Sequence, residues 1–131
     1  MSFQDQLATA MKKYLGEDLD ETIIKDGYET DIFNYLVQLK KKVGAVQNES
    51  YDFSLSWTES KCTIEDVTLE VKIKTENNTI VIEKIVDGEV SSLDAIIVQD
   101  GELFAVGRNE KFTTQVFEEY LRETFGEKLG L

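Results

Sequence analysis

The stretch Asn77–Gly107, NNTIVIEKIVDGEVSSLDAIIVQDGELFAVG, decides the fold. Three short polar breaks, Asn77-Asn78, Asp87-Gly88 and Asp100-Gly101, separate runs rich in isoleucine and valine. Asp-Gly between β-branched runs is a strong hairpin signal, because a type I′ turn needs positive φ at both central residues. Three such turns in succession predict an antiparallel meander. Working upstream, Tyr51, Phe53, Leu55 and Trp57 alternate with Asp52, Ser54 and Ser56, the pattern of a strand with one dry face. Cys62 and Ile64 alternate as well, as do Val67, Leu69, Val71 and Ile73. The phase slips between Ile64 and Val67, and either a bulge at Glu65-Asp66 or a break into two strands would repair it. The sheet is expected from Ser50 to Gly107, with five or six strands.

Helical spacing flanks the sheet on both sides. Ser2 can cap a first helix carrying Phe3, Leu7, Met11 and Tyr14 on one face, with Gly16 as its stop. Asp26 with Glu29 resembles a capping box for a second helix, whose stripe is Tyr28, Ile32, Tyr35, Leu36, Leu39 and Val43. Lys40, Lys41 and Lys42 complement its C-terminal dipole, and Gly44 closes it. A last helix begins between Asn109 and Thr114 and aligns Val116, Phe117, Tyr120, Leu121 and Phe125. The reading is an α+β fold: two N-terminal helices, a five- to six-stranded antiparallel meander and one C-terminal helix, in a single domain spanning 1–131. Leu36 and Phe117 are expected to be buried.

If each turn has two residues, register follows. Ile73 then faces Ile82, Ile82 faces Leu93, Ile80 faces Ala95, Ala95 faces Val106, and Ile97 faces Phe104. The opposite side is also apolar, through Val81, Ile85, Val90, Ile96, Val98, Leu103 and Ala105. Val81, Ile96, Val98 and Leu103 are therefore the candidate interaction surface, expected to pair with a second copy into a homodimer unless helices or sheet curling cover them.

Composition constrains function mainly by exclusion. The 131 residues include no histidine, no proline and one cysteine, and Asp and Glu outnumber Lys and Arg by 26 to 14. Histidine-based triads and histidine-ligated metal sites are thereby excluded. A net charge of -12 argues against a nucleic-acid partner. No signal-peptide pattern and no membrane-length apolar run is present, so a cytoplasmic location and no membrane partner are expected. Cys62 lacks an intramolecular partner and reads as a half-buried strand residue rather than a nucleophile. Asp18, Asp20, Thr22, Asp26 and Glu29 fall in an EF-hand-like register, but Ile23 occupies the position that needs glycine. No metal and no cofactor is expected. Glu65-Asp66 is the most tempting carboxylate pair, yet adjacent strand residues point to opposite faces and nothing sets a second acid at catalytic separation. Trp57, at the end of an aromatic strand, is expected in the core.

In size, acidity and mixed architecture the chain resembles, in general appearance only, bacterial secretion chaperones and toxin-immunity proteins. No motif carries that likeness, and the two consecutive N-terminal helices depart from the usual element order of the secretion chaperones. The expectation is a non-enzymatic protein-binding module with a basic or amphipathic protein partner. The alternative is a small-molecule or lipid carrier with an apolar cavity, and the third reading is a carboxylate-dependent enzyme.

Overall fold

A computed structural model describes residues 2–14, 19–44 and 50–131. In chain order these form α1 (Phe3–Tyr14), α2 (Leu19–Gly27), a π-helical stretch (Tyr28–Phe33) and α3 (Asn34–Val43). The strands β1 (Tyr51–Leu55), β2 (Glu59–Ile64), β3 (Val67–Lys74), β4 (Thr79–Val86), β5 (Glu89–Gln99), β6 (Glu102–Ala105) and β7 (Glu110–Lys111) follow, and α4 (Thr114–Leu129) ends the order. The fold is α+β, and the strands form one antiparallel meander in sequence order, β1 to β7.

Turn chemistry explains the meander. Asp87 and Gly88 have φ of 51° and 82°, and Asp100 and Gly101 have 53° and 77°, so both Asp-Gly pairs make two-residue turns with positive φ throughout. Glu65, at φ 54°, opens a third tight reversal that sets Ile64 opposite Val67. The phase slip is thus a break between two strands and not a bulge. Between β3 and β4 the loop has four residues rather than two, and Ile73 faces Ile80 instead of Ile82. A slide of two residues keeps every side chain on its expected face.

One irregularity does change the faces. Ile82 pairs with Asp94 but Glu83 pairs with Ser92, so Leu93 is an extra residue on β5. Beyond this bulge Ile80 faces Ile96, not Ala95, and Ile96 in turn faces Ala105. A one-residue shift inverts a strand. Ile96, Val98, Leu103 and Ala105 therefore lie on the same side as Ile80 and Ile82, while Ala95, Ile97 and Phe104 join Val81 on the other.

The second helix starts at Leu19 and not at Asp26, and residues 19–43 run as one helix through the π stretch, where Asn34 N–H donates to Glu29 C=O. Asp26 lies inside α2, so the capping-box reading is corrected. The physical reason is a longer stripe: Ile24, Tyr28, Ile32 and Leu36, four residues apart, are all at most 1% exposed. Asp20, Thr22 and Asp26 sit on α2 and Glu29 on the π stretch, so the calcium-like register falls on helix rather than loop; Gly16 and Asp18 lie outside the described residues. Tyr28 ties the π stretch to the first hairpin, donating to Ser56 C=O at 2.8 Å and bonding the buried Ser60 hydroxyl.

Thr113 caps α4 by accepting Val116 N–H. Phe117 and Tyr120 of α4 join the long helix's stripe over Leu69, Val71, Ile80, Ile82 and Ile96 of the sheet. Leu36 and Phe117 are buried at 1% and 0% exposure, as expected. Trp57 is not in the core. It lies beyond the end of β1, 65% exposed, and stacks on Phe33 with ring centroids 4.8 Å apart. Among the described residues no helix is long and apolar enough to cross a membrane.

Candidate functional site

The meander leaves its first hairpin at one end of the sheet, and the pairs Tyr51–Ile64 and Phe53–Cys62 place four apolar side chains on the face that carries the helices. The long helix reaches this end as α3, which packs on β1, while α4 packs on β3 and on the π stretch. Tyr35, Leu39 and Val43 recur every four residues along α3, and Leu121, Phe125 and Leu129 do so along α4. These two rows and the hairpin enclose an open apolar groove of about 390 Å³. Eight residues of helix rise roughly 12 Å, so each row runs about two turns.

The charged side chains among the groove's lining are Glu118 and Arg122. The Tyr35 hydroxyl donates to Glu118 Oε2 at 2.9 Å, and the Tyr35 ring meets Phe117 edge-on at 5.5 Å. Partial burial, followed by the bond to Glu118, raises the Tyr35 pKa, so the phenol stays protonated and holds α3 to α4. Arg122 offers a guanidinium in the same lining. Burial, and then the charge of Asp52, pushes the Cys62 thiol up to about 11. A thiol protonated at neutral pH is a packing group and a poor nucleophile. The groove presents a mostly apolar lining that can take up apolar surface.

A second polar cluster lies on the same face of the sheet. Asp94, 4% exposed, accepts Ala95 N–H and Gly107 N–H through Oδ1 at 2.7 and 2.6 Å, and the Tyr120 hydroxyl through Oδ2 at 2.5 Å. Burial and the Asp94 contact drive the Tyr120 pKa strongly upward, fixing the phenol as a donor. The Arg108 guanidinium lies 5.3 Å from the Tyr120 ring centre and pairs with Glu119 at 2.5 Å. Every carboxylate oxygen of Asp94 is held by this fold, so the cluster reads as a clamp on α4.

The four residues read from sequence as an interaction surface are not brought together. Ile96 is fully buried, Leu103 is 9% exposed and Val98 packs against the core from the covered face; Val81 alone lies on the other side. That other side carries Glu70, 7% exposed and bound to Lys72 at 2.6 Å, beside Lys61 and Glu83. Glu65 and Asp66 sit in the turn after β2, where Lys128 of α4 reaches them at 3.5 and 3.1 Å. The Lys128 ammonium holds the Asp66 carboxyl below its usual range. Among the described residues no cluster of three acidic or cysteine side chains is placed to hold a metal ion. The groove residues had a signal in sequence, since Tyr35, Leu39, Val43, Leu121 and Phe125 were all in helical stripes. Pattern alone did not show that these stripes run past the core at one end.

Residues 4–129 match a family model described as protein of unknown function (DUF3942). Neither the curated proteins nor the solved structures contain a match.

Proposed function

The chain belongs to the DUF3942 family, and we propose that it is a non-enzymatic protein-binding module whose groove receives the apolar face of a partner's amphipathic helix. The groove's lining carries this reading: a row of apolar side chains from each of two helices, each about two turns long, with Tyr51 and Phe53 of the first hairpin. An amphipathic helix presents anchors at i, i+3, i+4 and i+7, which matches a trough of that length. Of the groups lining it, the Cys62 thiol and the Tyr35 phenol have raised pKa values and are protonated at neutral pH. The net charge of -12 favours encounter with a basic or amphipathic partner.

Arg122 in the lining supports a second reading, a carrier in which an acyl chain fills the trough and its carboxylate meets the guanidinium. One comparison separates the two. Wild type and Leu121→Glu are used to capture proteins from native cell extract, and both are examined by native mass spectrometry. A stoichiometric protein retained by wild type and lost by Leu121→Glu supports the module. A retained lipid or metabolite supports the carrier. Equal capture by both chains rules out the groove as the docking site.

A further inference from the structure

The chain contains an exposed amphipathic helix of the kind the groove would accept. Phe3, Leu7, Met11 and Tyr14 of α1 lie within a narrow stripe at helical spacing, and they are 74%, 46%, 51% and 89% exposed. Every α1 side chain whose burial is described is exposed. A twelve-residue helix is marginal in water on its own, and most helical stability comes from packing an amphipathic face. The stripe from Phe3 to Tyr14 runs about 16 Å, a little more than the rows of the groove. Charge at the groove does not oppose the match, since its charged lining is one acid and one base, Glu118 and Arg122. Asp5 against Lys12 and Lys13 gives α1 a net +1, while the rest of the chain carries -13 of the total -12.

Resting on the groove reading above, we propose that the helix the groove receives is α1 of a second copy, two chains exchanging their N-terminal helices about a two-fold axis. Such an exchange buries both apolar surfaces twice and closes as a dimer. The chain's own groove is hard to reach. Five peptide steps from Tyr14 to Leu19 span at most about 18 Å, whereas Leu39, at mid-groove, lies twenty residues and roughly 30 Å along the helix from Leu19. Insertion in cis demands a link drawn straight along that helix, and a second copy removes the demand.

The test combines cross-linking with sedimentation. In a Cys62→Ala background, Met11→Cys and Leu39→Cys are introduced together, and the chain is treated with a short bis-maleimide. A covalent dimer is expected. An intramolecular link, seen as one linker on a monomer mass, places α1 in its own groove and overturns the exchange; no link at all also overturns it. Sedimentation equilibrium at micromolar concentration should show a wild-type dimer, with at least a tenfold weaker association for Met11→Glu, whose site is exposed and leaves the fold intact, and for Leu121→Glu. An equal mixture of these two variants should regain association, because one sound α1 then meets one sound groove. If wild type is a monomer while Leu121→Glu still abolishes capture of a protein from extract, the exchange fails and the groove reading stands. If Leu121→Glu alters neither association nor capture, both fail.

Discussion

Tyr120 donates its hydroxyl to Asp94 Oδ2 at 2.5 Å, and Asp94 is the residue next to the extra Leu93 of β5. The bulge that inverts β5 is therefore the place where α4 is fastened to the sheet. In an unbroken register Leu93 would face Ile82 and Asp94 would face Val81, on the side away from α4. Its other oxygen accepts Gly107 N–H, so the same carboxylate also holds the end of the β6 hairpin.

Tyr120→Phe removes the donor and leaves a buried carboxylate oxygen unpaired. The cost of such an unsatisfied charged acceptor is about 1–3 kcal/mol. Urea denaturation should show a loss in that range with an unchanged m-value. A loss below about 0.5 kcal/mol would mean that Asp94 finds another donor and that the clamp is not what secures α4.

Stability should fall in alkali earlier than the phenols alone would dictate. Burial raises the Cys62 thiol from 9.0 to about 11 in the folded chain. A folded pKa above the unfolded one means that the stabilising contribution is whole below pH 9 and is lost as the pH climbs to about 11, because the unfolded chain ionises first. Two units correspond to roughly 2–3 kcal/mol. Tyr120 acts in the same direction from about pH 10 upward. Cys62→Ala should flatten the slope between pH 9 and 10 in a series of urea titrations, whatever its effect at neutral pH. An unaltered slope would show that the thiol titrates normally.

Leu36 of α3 and Phe117 of α4 belong to one core cluster, at 1% and 0% exposure. Truncating either to alanine should cost about 2–5 kcal/mol, a large share of the stability of a domain this size. Guanidinium titration is the check, and a loss below about 1 kcal/mol at both sites would show that the core does not rest on these helix faces.

The meander was readable because turn chemistry is local. Asp87-Gly88 and Asp100-Gly101 both carry positive φ and make two-residue turns; the second hairpin has the expected register, and the first keeps it only from the turn to the bulge. The stripes of the long helix and α4 were readable for the same reason, since burial follows the helical period. The β5 bulge was not. Leu93 is one apolar residue among alternating neighbours, and its displacement is fixed by Asp94 reaching Tyr120 and Gly107, contacts distant in sequence. That single residue moved Ile96, Val98 and Leu103 from the expected surface into covered positions and left Val81 behind. Asp26 misled in a related way. Its capping-box pattern with Glu29 is real in sequence, but Ile23 and Ile24 extend the buried stripe upstream and the helix continues through it. The groove needed three elements to be placed before it existed, so no local pattern announced it.

The approach of α2 to the sheet depends on a glycine that local pattern also hid. A Cβ at Gly27 would lie 2.2 Å from Leu103 Cδ1, well inside contact distance. Gly27 has ordinary helical angles of -65° and -41°, so it is there for the close approach and not for its backbone freedom. Helix propensity alone would make Gly27→Ala stabilising by about 1 kcal/mol. Overpacking acts against that and is worth about 1–3 kcal/mol. The net expectation is a destabilised chain, measured by urea denaturation. Leu103→Ala removes the clashing methyl groups and is itself destabilising, as a cavity. Combined with Gly27→Ala, it should cost less than the sum of the two single changes by at least about 1 kcal/mol, since residues in direct contact do not add. Strict additivity would show that α2 does not close on β6 at this point.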